Sequence, residues 1–291
     1  MLIFNRIGIW RMKSINENLP YPSAEEVRRY LRLWEDLENY KEQEKALNVL
    51  FMGHPNNTEK EYVLLKVVAL NHFYSTNIFN VYAVAKHIVG IRDFDARLQA
   101  GKLSIVEELR DKNKNGTGRD LYSFATKYCS HHVPSEFPIY DRYVHKVLDY
   151  FQRKYEFLGK GVTLTRYNKN VQDKEDVPLR RDYSTFKKTI ESFQREFNLQ
   201  QFGLKEIDQY LWQLGKDWFP NQYQTDAKKR AAIKEIRRQI ADKAHFYVSI
   251  KNPSYIEYED SVDGREIGIE RAAIMIYEQQ VRRGDKIKTT W

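Results

Sequence analysis

Two short patterns between residues 115 and 148 carry residue types that could do chemistry. The first is Asn115-Gly116-Thr117-Gly118-Arg119. Because glycine adopts positive φ without a steric penalty, such a turn lets a phosphate approach the backbone, and the following helix would turn its free N–H groups outward towards it. The cation of Arg119 adds to this attraction. The pattern predicts an anion-binding turn, and the alternative is the ordinary tight surface turn that most Gly-x-Gly stretches form.

The second pattern places a lone carboxylate, Asp141, at the start of a helix. In Pro138-Ile139-Tyr140-Asp141 the proline disfavours helix just before the aspartate. Beyond it, apolar residues repeat at helical spacing, namely Val144, Val147, Leu148 and Phe151. Asp141 is therefore predicted to be the N-cap of a helix with one buried face, where backbone N–H groups and the positive helix end favour its ionised form. A capping aspartate ordinarily has only a structural role, and that alternative stays open.

Helical patterns also dominate the chain before the glycine turn. Residues 23–50 begin with Ser23 and Glu26 at capping-box spacing and continue as an amphipathic helix. Thr58 with Glu61 repeats the capping signature before a helix that starts at Tyr62. Residues 105–109 form a short helix that leads to the turn. Together these segments predict a helical framework for both patterns.

The chain after the Asp141 helix contains a polar insertion and two more helices. The insertion, residues 159–181, holds six Lys or Arg residues and weak strand character at 162–167. It is predicted to be a basic loop or a small hairpin that either contacts phosphate or is a simple insertion. Helices follow at 183–197 and 204–215, the second with Gly215 as its C′ residue.

The last seventy residues differ in character. A basic helix at 225–244, a β-hairpin at 246–258 that turns at Asn252-Pro253, and a final helix at 267–283 are predicted there. The domain prediction is a helical domain at 1–221 and an appendage at 222–291. The fold class is mainly α with a small C-terminal α+β appendage.

The order of glycine hairpin, helix, short loop and aspartate-capped helix resembles the core of the helix-hairpin-helix DNA glycosylases, the superfamily of endonuclease III. On that resemblance Gly116, Thr117, Gly118 and Arg119 bind the DNA backbone, and Asp141 is the carboxylate of glycosidic-bond chemistry. Residues 62–88 resemble the paired helices ahead of the hairpin. The likeness covers about a third of the chain and is one of order and pattern.

The same resemblance implies a base pocket and a wedge. The junction of the paired helices and the residue before Asp141 would hold the extruded base or fill the gap that it leaves, and the residues concerned are Asn71, His72, Phe73, Tyr74, Asn77 and Tyr140. In glycosylase-lyases a lysine follows the hairpin, and Asp120 stands there in this chain. The resemblance thus implies a monofunctional enzyme that leaves an abasic site. Lys127 is the nearest substitute amine, and a phosphate contact or a solvated position is the expectation favoured for it.

Composition limits the class of protein without fixing it. The 291 residues include 48 Lys and Arg against 40 Asp and Glu, a net charge of +8, so an electrostatic footprint for nucleic acid is plausible. One cysteine, Cys129, excludes a disulfide framework and is expected in the core. His131-His132 has no third ligand at convincing spacing, so neither a metal nor another cofactor is expected. No apolar run is long enough for a membrane span, and a cytoplasmic protein is expected.

The expected partner is double-stranded DNA with a modified or damaged base. Some bacterial relatives of the superfamily excise hypermodified pyrimidines such as glucosylated hydroxymethylcytosine in phage defence, so the resemblance leaves repair and defence open. A non-catalytic DNA- or RNA-binding module on the same scaffold is the alternative. A nuclease is disfavoured because the acidic residues are scattered through helices.

Overall fold

A computed structural model describes residues 19–165, 176–180, 182–219, 227–243, 245–249, 256–257 and 264–283. The described chain is mainly helical, as predicted. It forms two compact units, one spanning Tyr21–Gly215 and the other containing the described residues from Lys216 onward with residues 19 and 20. The predicted boundary at 221/222 lies outside the described residues. The described helices are α1 Ala24–Glu35, α2 Glu38–Gly53, α3 Lys60–Phe73, α4 Val81–Gly90, α5 Phe94–Gln99, α6 Ser104–Arg110, α7 Tyr122–His132, α8 Arg142–Tyr155, α9 Tyr183–Glu196, α10 Leu204–Trp218, α11 Ala227–Gln239 and α12 Ile269–Arg283.

The first capping signature is correct and the second is wrong. The Ser23 hydroxyl accepts the Glu26 N–H at 3.2 Å and caps α1. The helix predicted over 23–50 is broken at residues 36–37 into α1 and α2. Helix α3 begins at Lys60 with Glu59 as its N-cap and no side-chain cap, so Thr58 does not cap it. Helices α3 and α4 pack against each other as the predicted pair.

Helix α7 is the most deeply buried helix of the first unit. Eight of its eleven residues are buried, and these include the polar side chains Thr126, Lys127 and Ser130. Helix α8 buries one face, as the apolar repeat predicted, with Val144, Val147, Leu148 and Phe151 all fully buried. A helix that is buried on nearly every side must accommodate each polar group internally, so the contacts of Lys127 are set by the fold.

Helix α10 runs past Gly215 to Trp218, so the prediction that Gly215 ends this helix is wrong. A Cβ at this glycine would lie 2.6 Å from the Cβ of Tyr143 and 2.9 Å from its carbonyl oxygen. Glycine therefore lets α10 pack directly on the first turn of α8. Asp208 lies seven residues earlier, which is two helical turns, and so occupies the same face of α10.

The polar insertion contains two short strands, β1 Thr163–Thr165 and β2 Asp176–Pro178, which pair in parallel. A hairpin requires antiparallel strands, so the small-hairpin prediction is wrong. The intervening residues 166–175 and residue 181 lie outside the described residues.

The second unit contains an antiparallel sheet of order β4-β3-β5, formed by β3 Phe246–Ser249, β4 Ile256–Glu257 and β5 Gly264–Ile267. The pairing of β3 with β4 confirms the predicted hairpin, while its turn at 252–253 lies outside the described residues. Strand β5 was not predicted, and it occupies Ile267, so α12 begins two residues later than expected. Apolar residues of α11, α12 and the sheet form the core of this unit. In the part of the chain described, no helix has the length and apolarity of a membrane span.

Candidate functional site

The glycine turn has the backbone conformation that its sequence predicts. Gly116 and Gly118 have φ of +69° and +68°. The buried Asn115 side chain braces the turn from inside, because its Oδ1 accepts the Thr117 N–H at 2.9 Å and its Nδ2 donates to the Arg119 carbonyl at 2.8 Å. The turn is therefore held in shape before any ligand binds.

Two backbone donors of this turn face solvent. Gly116 and Gly118 are exposed, and within the described residues their N–H groups donate no hydrogen bond. A Cβ on Gly118 would meet no atom within 4 Å, so the space in front of it is open. One N–H at the start of α7 is paired, since Asp120 Oδ1 accepts the Tyr122 N–H at 3.1 Å. The glycine N–H groups are therefore open backbone donors of the turn.

The turn and the α3–α4 junction lie side by side. Arg119 donates to the Asn77 carbonyl at 2.6 Å, and a Cβ on Gly116 would lie 2.7 Å from the Cβ of Ala83 in α4. Two groups of predicted site residues are thus brought together. Asn77 itself has φ of +57° and is exposed.

Asp120, which follows the glycine turn, belongs to an ion-pair network. Its carboxylate binds the Arg110 guanidinium at 2.6 and 2.8 Å and the Arg180 guanidinium at 3.3 Å. Both cations also lie over the Tyr122 ring. The network ties the insertion to α6 and α7, and Asp120 supplies no amine.

Asp141 caps α8 as predicted, and it meets a cation from another helix. Its Oδ1 accepts the Tyr143 N–H at 2.8 Å, and its Oδ2 lies 3.7 Å from Lys127 Nζ. The Asp141 side chain is 24% exposed, whereas that of Lys127 is 3% exposed. The carboxylate is therefore reachable from solvent and the ammonium is not.

The burial of Lys127 corrects the expectation of a solvated or phosphate-binding lysine. Its Nζ donates to Ser123 Oγ at 2.7 Å and to the Tyr140 carbonyl at 3.5 Å. Burial lowers the pKa of this ammonium, and the neighbouring Asp141 carboxylate raises it in part. Lys127 Nζ also lies 5.2 Å from the centre of the Tyr74 ring.

Three of the residues predicted to contact DNA have contacts inside the protein. Tyr74 shares a hydrogen bond of 2.9 Å with His131 Nε2, and burial raises the pKa of its hydroxyl to about 12. Tyr140 is 2% exposed and shares a hydrogen bond with His145, so its ring is a core element. Asn71 binds the Ile78 backbone through both ends of its amide and fixes the junction.

The most exposed aromatic side chain described near the α3–α4 junction is one that sequence reasoning missed. Phe79 is 91% exposed, two residues from Asn77. His72 is exposed and Phe73 is half-buried against it. The sequence did indicate that Phe79 is exposed. It lies in the run before α4, where no apolar periodicity predicts burial of its ring.

Three further ionisable residues that sequence reasoning missed belong to this region: Lys205 and Asp208 influence the charge of Lys127, and Glu44 binds Lys205. Lys205 and Asp208 come from α10, and Glu44 comes from α2. Lys205 Nζ binds Glu44 at 2.8 Å. Burial raises the pKa of the Asp208 carboxyl to about 7, and Lys205 and Lys127 lower it in part. Glu44 also lines an open groove of about 420 Å³ beside α1 and α10, so Glu44 borders solvent.

The adjacent histidines His131 and His132 are the last two residues of α7. His131 meets Tyr74, and His132 Nε2 lies 3.5 Å from Lys66 Nζ. Burial lowers the pKa of each imidazole to about 3, so both are neutral. Cys129 is buried, as expected. Across the described ranges, no group of three or more His, Cys, Asp or Glu residues is arranged to hold a metal ion.

Comparison with known proteins identifies a family. The HI_0787_N family model, described as an N-terminal domain, matches residues 26–136, which include the glycine turn and Lys127. A protein of Haemophilus influenzae, itself described as uncharacterized, is 43% identical over 165 residues, which are 57% of this chain and 72% of that protein. No solved structure matches the chain significantly.

Proposed function

The chain belongs to the HI_0787_N family, and we propose that it is a monofunctional DNA glycosylase that hydrolyses the N-glycosidic bond of a flipped base and leaves an abasic site. One observation carries the proposal: a solvent-reachable carboxylate, Asp141, lies beside a buried ammonium, on a helix that follows the glycine turn and α7. The order α6, turn, α7, aspartate-capped α8 supports a glycosylase-like core.

The chemistry follows from the charge that develops on the sugar. Breaking the bond gives the anomeric carbon oxocarbenium character, so a nearby anion stabilises the transition state and can direct a water molecule at that carbon. The Asp141 side chain is 24% exposed, and its Oδ2 takes no part in the cap bond to Tyr143 and lies 3.7 Å from Lys127 Nζ. The target base must first leave the duplex, at a cost of a few kcal/mol.

Lys127 has a positioning role in this reaction. Its Nζ is 3.7 Å from Asp141 and is held by Ser123 and the Tyr140 carbonyl, so it fixes the carboxylate from behind. Asp120 occupies the place of the lyase lysine and is paired with arginines. A water molecule is therefore the nucleophile of the proposed reaction, and no strand break follows without alkali.

The DNA backbone would meet the exposed glycine N–H groups. Gly116 and Gly118 present two donors that bind nothing within the described residues, and Arg119 lies next to them. Backbone N–H groups in such a turn suit a phosphate oxygen. Phe79, rather than Phe73 or Tyr74, is the side chain free to fill the gap left by the base.

The test is an alkali assay on a panel of duplexes. The panel carries 8-oxoguanine, uracil, hypoxanthine, 5-hydroxymethylcytosine or its glucosylated form, with plain duplex as the blank and genomic DNA from phages with modified cytosines as a further substrate. Heating in alkali converts an abasic site into a strand break. We expect breaks with at least one substrate, and the choice of substrate separates repair from phage defence.

The decisive variant is Asp141→Asn, because asparagine still caps a helix. Its matched control is Asp182→Asn, since Asp182 caps α9 by accepting the Thr185 N–H at 2.8 Å. Breaks that vanish only in Asp141→Asn support the proposal. Tight binding of every duplex with no breaks would replace it with the alternative, a non-catalytic DNA- or RNA-binding module.

A further inference from the structure

Within the described residues, the Oδ1 of Asp208 is a buried carboxyl oxygen without a hydrogen-bond donor. The residue as a whole is half-buried. Buried polar atoms are nearly always satisfied, so a carboxyl oxygen left without a donor needs an explanation. The two cations that lower the pKa of Asp208 bind other groups, because Lys205 binds Glu44 at 2.8 Å and Lys127 binds Ser123 at 2.7 Å.

The position of Asp208 relates it to the proposed reaction centre. The face of α10 that carries it packs on the first turn of α8 through Gly215 and Tyr143. Asp208 is close enough to Lys127 and Asp141 for each to influence its charge. The titratable groups that face it from the surrounding helices are Lys205, Lys127, Asp141, Glu44, Tyr74 and Tyr183.

We propose that Asp208 is the general acid of the reaction, which protonates the departing base while Asp141 acts on the sugar and the water molecule. This inference rests on the proposed function. Two carboxyl groups in different surroundings can divide these tasks between them. Asp141 has a backbone N–H and an ammonium as partners, and Asp208 has neither within the described residues.

The proton inventory balances with water as the only co-reactant. The electron pair of the C1′–N bond moves to the base, and the Asp208 proton goes to a nitrogen or oxygen of that base. The water oxygen forms the new bond to C1′ and passes one proton to Asp141, which returns it to solvent. Asp208 then takes a new proton from solvent.

Burial favours the protonated form that this role needs. It raises the pKa of Asp208 from 3.8 to about 7, so a large share of the molecules carry the proton at neutral pH. A general acid is most useful when its pKa lies near the working pH. The rate should then fall as pH rises above about 7, because the acid is lost.

The experiment compares single-turnover rates between pH 5 and pH 9 for the wild type, Asp208→Asn, Asp208→Glu and Asp141→Asn, on the panel duplex that the wild type cuts fastest. Asp208→Asn should lower the rate about 10²-fold at pH 6 and lose the decline above pH 7, with the Kd for the duplex unchanged. Asp208→Glu should recover part of the rate and keep the decline. Melting curves monitor folding.

A matched control uses another carboxyl of the first unit whose pKa is raised by burial, Asp149, which pairs with an arginine. Asp149 binds Arg153 at 2.8 Å, so Asp149→Asn should leave both rate and pH profile unchanged. A wild-type rate and decline in Asp208→Asn, with Asp141→Asn inactive, would overturn the general-acid role and leave the proposed function in place. If Asp208→Asn does not fold, a flat pH profile in Asp208→Glu would overturn it equally. No breaks by the wild type on any panel member would overturn both.

Discussion

Asp141 and Asp182 are both N-cap aspartates, but they lie in different surroundings. Each is an aspartate in extended conformation that caps a helix through a backbone N–H. The carboxylate of Asp182 is also bound by the hydroxyls of Ser184 and Thr185, so partners within three residues bind both of its oxygens. Asp141 has one local bond and faces Lys127 from another helix. The capping role follows from local sequence, and a chemical role follows only from what the fold adds.

The Lys127→Met variant tests this difference between Asp141 and Asp182, and its largest expected effect is on the glycosylase rate. Methionine keeps the unbranched apolar stem, one atom shorter than lysine, and removes the ammonium beside Asp141. We expect the glycosylase rate to fall by about 10²-fold, since a misplaced carboxylate loses much of its effect, while the Asp182 cap is untouched. Single-turnover kinetics measure this.

Melting curves of Lys127→Met show whether a lower rate comes from the misplaced carboxylate or from loss of folding. Because Asp141 is 24% exposed and keeps its cap bond to Tyr143, losing the Lys127 ammonium leaves no sealed unpaired charge, so folding should survive Lys127→Met. A folded Lys127→Met protein with the wild-type rate would remove the reason to treat Asp141 differently from Asp182. Trapping with borohydride should give no covalent complex in the wild type, and a complex lost in Lys127→Met would make Lys127 a nucleophile instead.

A second contrast concerns the two glycines of the turn. Alanine at either position is strained by positive φ, but only Gly116→Ala also drives a Cβ to 2.7 Å from Ala83. We expect Gly116→Ala to lower the free energy of unfolding by about 1–3 kcal/mol and Gly118→Ala to lower it by less. Urea denaturation compares them. Equal losses would show that the turn does not rest on α4 as described.

A third contrast separates capping from catalysis. Asp182→Ala should lower the free energy of unfolding by about 1 kcal/mol through loss of the α9 cap, with the glycosylase rate per folded molecule kept. Denaturation and kinetics on the same preparation check this. A lost rate in a folded Asp182→Ala protein would contradict the local role given to this cap.

One further expected effect is confined to the upper pH range, on the stability of Asp208→Asn. The folded state holds the Asp208 proton up to about pH 7, whereas the unfolded chain releases it near 3.8. Folding therefore loses stability as pH rises through that window, and the loss is complete above about pH 7. Asp208→Asn should melt at a higher temperature than the wild type at pH 8 and at a similar one at pH 4. A difference of opposite sign would show that the carboxylate is stabilised.

The sequence predicted features that depend on neighbours along the chain. The Ser23 cap, the Asp141 cap, the buried face of α8 and the positive φ of Gly116 and Gly118 all belong to this class. Each is fixed by residues within a few positions, so local chemistry decides it.

Features decided by distant segments could not be predicted in this way. A lysine in a helix is ordinarily solvated, and Lys127 is buried only because other helices surround α7. Gly215 has the signal of a helix end, yet it permits close contact with Tyr143. Lys205 and Asp208 are spaced like a solvated surface pair, and their nearness to Asp141 depends on where α10 crosses α8.

The most direct measurement is the yield of alkali-labile breaks from Asp141→Asn beside Asp182→Asn, on the panel duplex that the wild type cuts fastest. The account predicts breaks lost by about 10²-fold or more in the first variant and kept in the second, with both proteins folded and binding the duplex. Equal activity in the two variants would mean that Asp141, like Asp182, only caps its helix.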